Sequence, residues 1–197
     1  LFVDGRYTLQ ARIQSSKLFK IITIPNKLPY ELLKNENLSI GFDPKLHTES
    51  MLTSIFKKTN CKLKPVNKNL VNKIWKRKIN NKTNKFYQLK DNVVGEGSKS
   101  KIKKLSKILK KNKVDFQFVS ASENIAWILN IRGADSEFSP IPNSYLIINS
   151  QSKVFLFCDL KKIDTKFKKN LNKNIIVVKI NEIEKFISKI KNKYVQL

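Results

Sequence analysis

A chain of 197 residues with 41% hydrophobic content can bury one large core or two small ones. No apolar run approaches the roughly 20 residues needed to cross a bilayer, and Leu1-Phe-Val-Asp-Gly-Arg6 lacks both an initiator Met and the basic and apolar regions of a signal peptide, so the chain reads as a fragment whose targeting segment, if any, is unseen; a reducing cytoplasm is expected instead from Cys61 and Cys158, far apart and without CxxC partners. The net charge of +25 invites a nucleic-acid reading, but only Arg6, Arg12, Arg77 and Arg132 supply guanidinium, and the lysines are scattered among Asn and Ile, all residues of A/T-rich codons, so only weak adhesion to polyanions at low salt is expected.

In chain order, Leu1–Val3 predicts a strand ending at Asp4-Gly5, and Tyr7–Gln14 a short helix. Phe19–Ile24 predicts a strand stopped by Pro25, and Pro29 suits the first turn of a helix to Leu33. A strand at Leu38–Phe42, a helix over Thr48–Lys57, an extended Cys61–Val66 and a short helix at Leu70–Trp75 follow. Met51, Leu52, Ile55 and Phe56 repeat at helical spacing in the second of these. The βαβαβ alternation favours a mostly parallel or mixed sheet flanked by helices. Residues 76–85 are polar and without periodicity, and they mark the expected linker.

The second half opens with an extended stretch near Phe86-Tyr87. Gly95-Glu-Gly97 lacks phosphate-loop spacing and reads as a turn into a helix over Lys99–Lys111, with Ile102, Leu105, Ile108 and Leu109 as its apolar stripe. A strand at Phe116–Val119 leads to an apolar helix, Ser122–Ile131, with Ser122 as its expected N-cap. Gly133 is free to take a left-handed conformation after Arg132, and a Pro-containing loop runs to Asn143. Tyr145–Ile148 and Val154–Phe157 predict a hairpin. A strand at Ile175–Ile180, a helix over Glu182–Lys191 and a strand near Tyr194 complete the pattern.

Few residues suggest chemistry. Cys61 and Cys158 lack a CxxC partner and read as two buried thiols, and His47 as a surface or capping group, which leaves no familiar zinc site. Trp75 and Trp127 read as core anchors. A strand ending in Asp4-Gly5 places Arg6 at the carboxyl edge of a sheet, where ligands dock in α/β folds. From spacing alone, an Arg6–Asp4 pair capping the turn is the preferred reading. Arg132 and Asp135 bracket Gly133 and could pair within their loop, with bracing of that loop preferred over substrate contact.

The stretch 122–148, SENIAWILNIRGADSEFSPIPNSYLII, resembles the "D-I-A-W-L-x-N-x-R-G-x-D-x-x-x-x-P-x-x-x-S-Y" pattern in the second N-terminal domain of the Xaa-Pro aminopeptidases. Phe2-Val-Asp-Gly-Arg-Tyr-Thr-Leu-Gln-Ala11, Ile40-Gly-Phe-Asp-Pro44 and Asn69-Leu-Val-Asn-Lys-Ile-Trp75 resemble further motifs of that family in the same order. Ser136-Glu137 and Ser139 depart from the family pattern in the loop.

The resemblance implies an α/β fold of two creatinase N-terminal-like (ribonuclease H-like motif) domains with mixed central sheets flanked by helices, 1–78 and 79–197, the first shortened at its start. It implies non-catalytic domains that shape substrate access in an enzyme removing an N-terminal residue that precedes proline. The substrate-binding role falls on Arg6, whose planar permanent cation suits a peptide carbonyl or carboxylate. Two divalent metals, usually manganese, are expected in a C-terminal "pita-bread" domain absent from this chain, so no catalytic or metal residue is assigned here and the fragment is expected to be inactive. The implied partners are peptides with proline second, the chain's own catalytic domain and a further copy in a homodimer, with no membrane and no specific nucleic acid. Creatinase and prolidase share the architecture, so fold alone does not choose the substrate. The alternatives are a stand-alone interaction module of the same fold and a basic nucleic-acid-binding protein.

Overall fold

A computed structural model describes residues 1–75, 84–90 and 92–197. The expected linker lies outside the described residues except for Asn84 and Lys85. Contacts divide the chain into two compact units, Leu1–Ile79 and Asn80–Leu197.

In the first unit, β1 (Phe2–Asp4) pairs in parallel with β2 (Ile22–Ile24), and β3 (Ser39–Phe42) with β4 (Lys62–Pro65). The helices are α1 (Thr8–Gln14), α2 (Pro29–Leu33), α3 (Glu49–Phe56) and α4 (Leu70–Ile74). Pro29 starts α2, where its missing N–H costs nothing, and Thr48 caps α3 by accepting the Met51 N–H at 3.2 Å. Burial is shallow: Ala11, Pro29 and Leu52 are the buried residues of Leu1–Trp75. Trp75 is exposed rather than a core anchor, because the short α4 buries none of its residues. Cys61 is half-buried.

The second unit has β5 (Tyr87–Gln88), α5 (Ser98–Lys111), β6 (Phe116–Val119), α6 (Ser122–Leu129), β7 (Ile131–Arg132), β8 (Tyr145–Asn149), β9 (Val154–Cys158), α7 (Thr165–Asn170), β10 (Ile175–Lys179), α8 (Ile183–Ser188) and β11 (Val195–Gln196). A mixed five-stranded sheet runs β10-β9-β8-β6-β11, its outer pairs parallel and its inner pairs antiparallel. The expected hairpin is β8–β9, with Tyr145 opposite Phe157 and Ile148 opposite Val154. Asn149 shapes its turn: the side-chain oxygen accepts the N–H groups of Gln151 and Lys153 at 3.0 and 2.8 Å. Both strands are apolar nearly throughout because both faces are covered. Leu146, Ile148 and Leu156 are fully buried, each worth about 1.5–3 kcal/mol relative to exposure.

The α5 stripe is shifted by one position: Ile102 and Leu109 are buried, Leu105 is half-buried and Ile108 is exposed. Lys101 is buried on the same side, at i−4 from Leu105 and i−8 from Leu109.

Candidate functional site

The residues singled out from the motifs lie in two groups, one in each unit. In the first, β1 ends at Asp4, which caps a 3-10 turn over Gly5–Tyr7 by accepting the Arg6 N–H at 2.9 Å. The Arg6 side chain returns to the same carboxylate: Nη2 donates to Asp4 Oδ2 at 2.6 Å and Nε lies 3.3 and 3.2 Å from the two oxygens. Hydrogen bonds from Arg6 hold the Asp4 carboxyl below the usual range, and the same pair raises the guanidinium. The Arg6 side chain is 82% exposed, with its Cζ 5.8 Å from the centre of the Tyr7 ring. The turn therefore presents a fixed fork of N–H donors to solvent while one carboxylate sets its direction.

In the second unit, α6 ends earlier than its apolar run. Asn130 takes the left-handed conformation (φ 54°, ψ 37°), and Ile131 and Arg132 form β7, antiparallel to β5. Asn130, not Gly133, supplies the left-handed residue; no described glycine has positive φ. Ser122 is the first helical residue rather than the cap, and Ala121 at the cap position makes no side-chain bond. The helix is fixed at its other end. Lys101 Nζ donates to the Trp127 carbonyl at 2.5 Å and to Asn130 Oδ1 at 2.6 Å, and Asn130 Nδ2 donates to the Glu96 carbonyl at 2.9 Å. Burial lowers the Lys101 ammonium from its ordinary value, while Glu96 opposes that shift.

Trp127 is not a core anchor: it is 58% exposed, with Lys101 Nζ 4.2 Å from the centre of its ring. It lines a groove with Phe118 and Asn124 at the end of β6.

The loop after β7 is braced differently from the expected Arg132–Asp135 pair. Arg132 Nη1 donates to the carbonyls of Ala126 and Ile131 at 3.1 and 2.9 Å. Asp135 instead pairs with Lys162, both side chains being largely buried, and its Oδ2 accepts the Asn143 N–H at 2.7 Å. Gly133 is needed for close approach: a Cβ there would sit 3.0 Å from both the Ile141 carbonyl oxygen and Pro142 Cα, and 3.1 Å from the Phe86 ring. Cys158 is fully buried, and burial pushes its thiol up to about 12, far from a nucleophile's range. His47 is half-buried, its Nδ1 3.2 Å from the Asp43 carbonyl oxygen.

Lys101 and Lys162 are the bracing residues that motif reading missed. Lys101 left a signal, a cation on the apolar stripe of an amphipathic helix. Lys162 left none, because its partner lies 27 residues away.

The creatinase/prolidase N-terminal domain pattern matches residues 77–196. The chain belongs to the creatinase/prolidase N-terminal domain family. Xaa-Pro aminopeptidase 1 of Dictyostelium discoideum is 29% identical over 206 residues, which cover 95% of this chain and 32% of that protein. Xaa-Pro aminopeptidase app-1 of Caenorhabditis elegans is 31% identical, with the same two coverages. The crystal structure of X-prolyl aminopeptidase from C. elegans, a cytosolic enzyme with a di-nuclear active site, superposes with a TM-score of 0.83 at 26% identity, covering 95% of this chain and 32% of that one. The chain thus spans about a third of the length of the relatives it matches. The likeness read from four short motifs extends over nearly the whole chain and its fold. Among the described residues, no group of three or more His, Cys, Asp and Glu side chains could hold a metal ion. No described helix is long and apolar enough to cross a membrane.

Proposed function

We propose that this chain forms the non-catalytic N-terminal domains, 1–78 and 79–197, of a cytoplasmic Xaa-Pro aminopeptidase, a hydrolase that removes the residue preceding proline from a peptide's N-terminus. The observation that carries this reading is the superposition on an X-prolyl aminopeptidase over 95% of this chain and only 32% of that enzyme. The chemistry then belongs to the remainder of the parent protein, where two divalent metals, manganese in this reading, act on the scissile bond. The role of the present residues is to bind and orient. Arg6 contacts the peptide: its guanidinium is exposed, its direction is set by Asp4, and its free donors suit a carbonyl or carboxylate of the substrate. The second domain supplies a braced loop after Arg132 as a wall that limits access.

The test compares the parent protein with the 197-residue chain, both with added manganese and an Ala-Pro peptide. The parent is expected to release alanine and the isolated chain to release none. Turnover by the purified chain would move the chemistry into these residues, and an inert parent would remove the peptidase reading.

A further inference from the structure

The five-stranded sheet ends on one side at β10, and among the described residues no further strand pairs with that edge. The Val154 N–H donates to the Asn174 carbonyl at 2.9 Å, and Val154 stands opposite Ile175 in the parallel register. Parallel pairing uses alternate residues of a strand, so Asn174, Ile176 and Val178 turn their backbone groups toward β9, and Ile175, Val177 and Lys179 turn theirs outward. The Ile175 N–H is taken up by the Asn172 carbonyl at 2.8 Å. The Ile175 carbonyl, both groups of Val177 and the Lys179 N–H then face away from the sheet. Four β-branched residues, Ile175–Val178, hold this backbone extended.

A concavity lies on each face of the edge where β10 begins. One, of about 320 Å³, is lined by Gln151, Lys153, Lys173 and Ile176 among others; the second, of about 360 Å³, by Lys168, Lys169, Lys173 and Val177. Neighbouring side chains of a strand point to opposite faces, so Ile176 and Val177 place the two concavities on either side. Among the described residues that line them there is no Asp or Glu. Gln151 adds a donor of fixed orientation. The Asn149 side-chain oxygen accepts two backbone N–H groups, so Asn149 Nδ2 is the donor to Gln151 Oε1 at 2.8 Å, which leaves Gln151 Nε2 available to a ligand. Past the other end of the strand, Glu182 pairs with Lys185 at 3.9 Å. The cationic character is therefore concentrated at the start of β10.

Lysines beside an edge protect it from pairing with another copy, and a chain of net charge +25 repels its own kind there. The same charges attract a strand of opposite sign. With 15 Asp and Glu against 40 Lys and Arg, this chain is a poor source of such a strand.

We propose that the free edge of β10 is a docking site for an extended acidic segment of a partner protein, which adds a strand to the sheet. The outward groups of Ile175, Val177 and Lys179 bond its backbone, and its consecutive Asp and Glu side chains enter the two lysine-lined concavities. This goes beyond the peptidase reading and does not depend on it.

The experiment titrates the full-length parent with fluorescein-labelled Thr-Val-Glu-Asp-Glu-Val-Thr. Two controls accompany it: Thr-Val-Gln-Asn-Gln-Val-Thr, which lacks the charge, and Thr-Pro-Glu-Asp-Glu-Pro-Thr, which keeps the charge but lacks the N–H groups and conformation of a paired strand. Both controls are expected to bind at least about tenfold more weakly than the first peptide, and the exposed double variant Lys169→Glu, Lys173→Glu to bind that peptide about tenfold more weakly than the unmodified protein. Saturating peptide is expected to slow amide exchange in residues 175–180 about tenfold, read by mass spectrometry. Equal binding of the proline-containing peptide overturns the proposal, because charge alone would then account for the attraction. Unaltered exchange in residues 175–180 at saturation, or no binding of the first peptide, overturns it as well.

Discussion

Lys101 Nζ donates to the Asn130 side-chain oxygen at 2.6 Å, so a lysine of α5 holds the left-handed residue on which α6 ends. The contact joins two helices whose residues lie 29 positions apart. It replaces the glycine-based helix stop with a side-chain device.

Lys101→Met tests that device. The substitution keeps the stem and removes the donor, leaving the Trp127 carbonyl and Asn130 Oδ1 without it. A loss of about 2–3 kcal/mol is expected in the stability of α6, read from hydrogen exchange of its amides. A change below about 0.5 kcal/mol would mean that water replaces the ammonium at no cost.

The Asp135–Lys162 pair is expected to behave as a buried one. Asp135→Ala leaves the ammonium without its anion and the Asn143 N–H without its acceptor, at a cost of about 3–5 kcal/mol. Adding Lys162→Met to Asp135→Ala is expected to recover part of that loss in a denaturation double-mutant cycle. Strict additivity of the two single effects would show that the groups do not interact.

Gly133→Ala is expected to cost about 1–3 kcal/mol, because the new methyl group meets the Ile141 carbonyl oxygen and Pro142 Cα at 3.0 Å. The same denaturation measurement reports it. A neutral result would show that the loop moves aside freely.

Asp4 and Arg6 give a prediction in pH. Hydrogen bonds from Arg6 lower the Asp4 carboxyl, so the pair is intact at neutral pH and is lost as pH falls through that lowered value. Arg6→Ala is expected to raise the Asp4 titration midpoint toward the ordinary carboxylate range, observed by NMR. In the parent enzyme the same substitution is expected to reduce kcat/KM about tenfold, the equivalent of one charge-assisted hydrogen bond, with folding stability unchanged. Unaltered kinetics would leave Arg6 as a turn-capping residue only.

The two thiols are expected to differ. Cys158 is fully buried and its thiol is pushed up to about 12, whereas Cys61 is half-buried. Ellman's reagent at pH 8 is expected to modify Cys61 and spare Cys158 until the protein unfolds. Rapid modification of both would contradict the packing around β9.

Local pattern carried much of the fold. The alternation of short strands and helices and the β8–β9 hairpin are set by neighbours in sequence, and the helix-strand-loop motif names its family on residues alone. What stayed hidden depends on partners far along the chain. Arg132 and Asp135 look like a pair because they are three residues apart, yet folding gives each a different partner: backbone carbonyls for Arg132 and Lys162 for Asp135. Trp127 reads as core because it sits in an apolar run, but a helix has one inward face, and Ile125, Ala126, Ile128 and Leu129 already occupy it. The Arg6–Asp4 pair was legible because the two residues are neighbours in one turn.

At one margin of the large sheet, β11 lies alongside β6 through Val195 and Gln196 alone. Those two residues occupy backbone groups that would otherwise offer a template to any extended polypeptide nearby. Loss of that pairing would therefore be felt first as a loss of solubility, with self-association beginning along Phe116–Val119 while the buried interior was still intact.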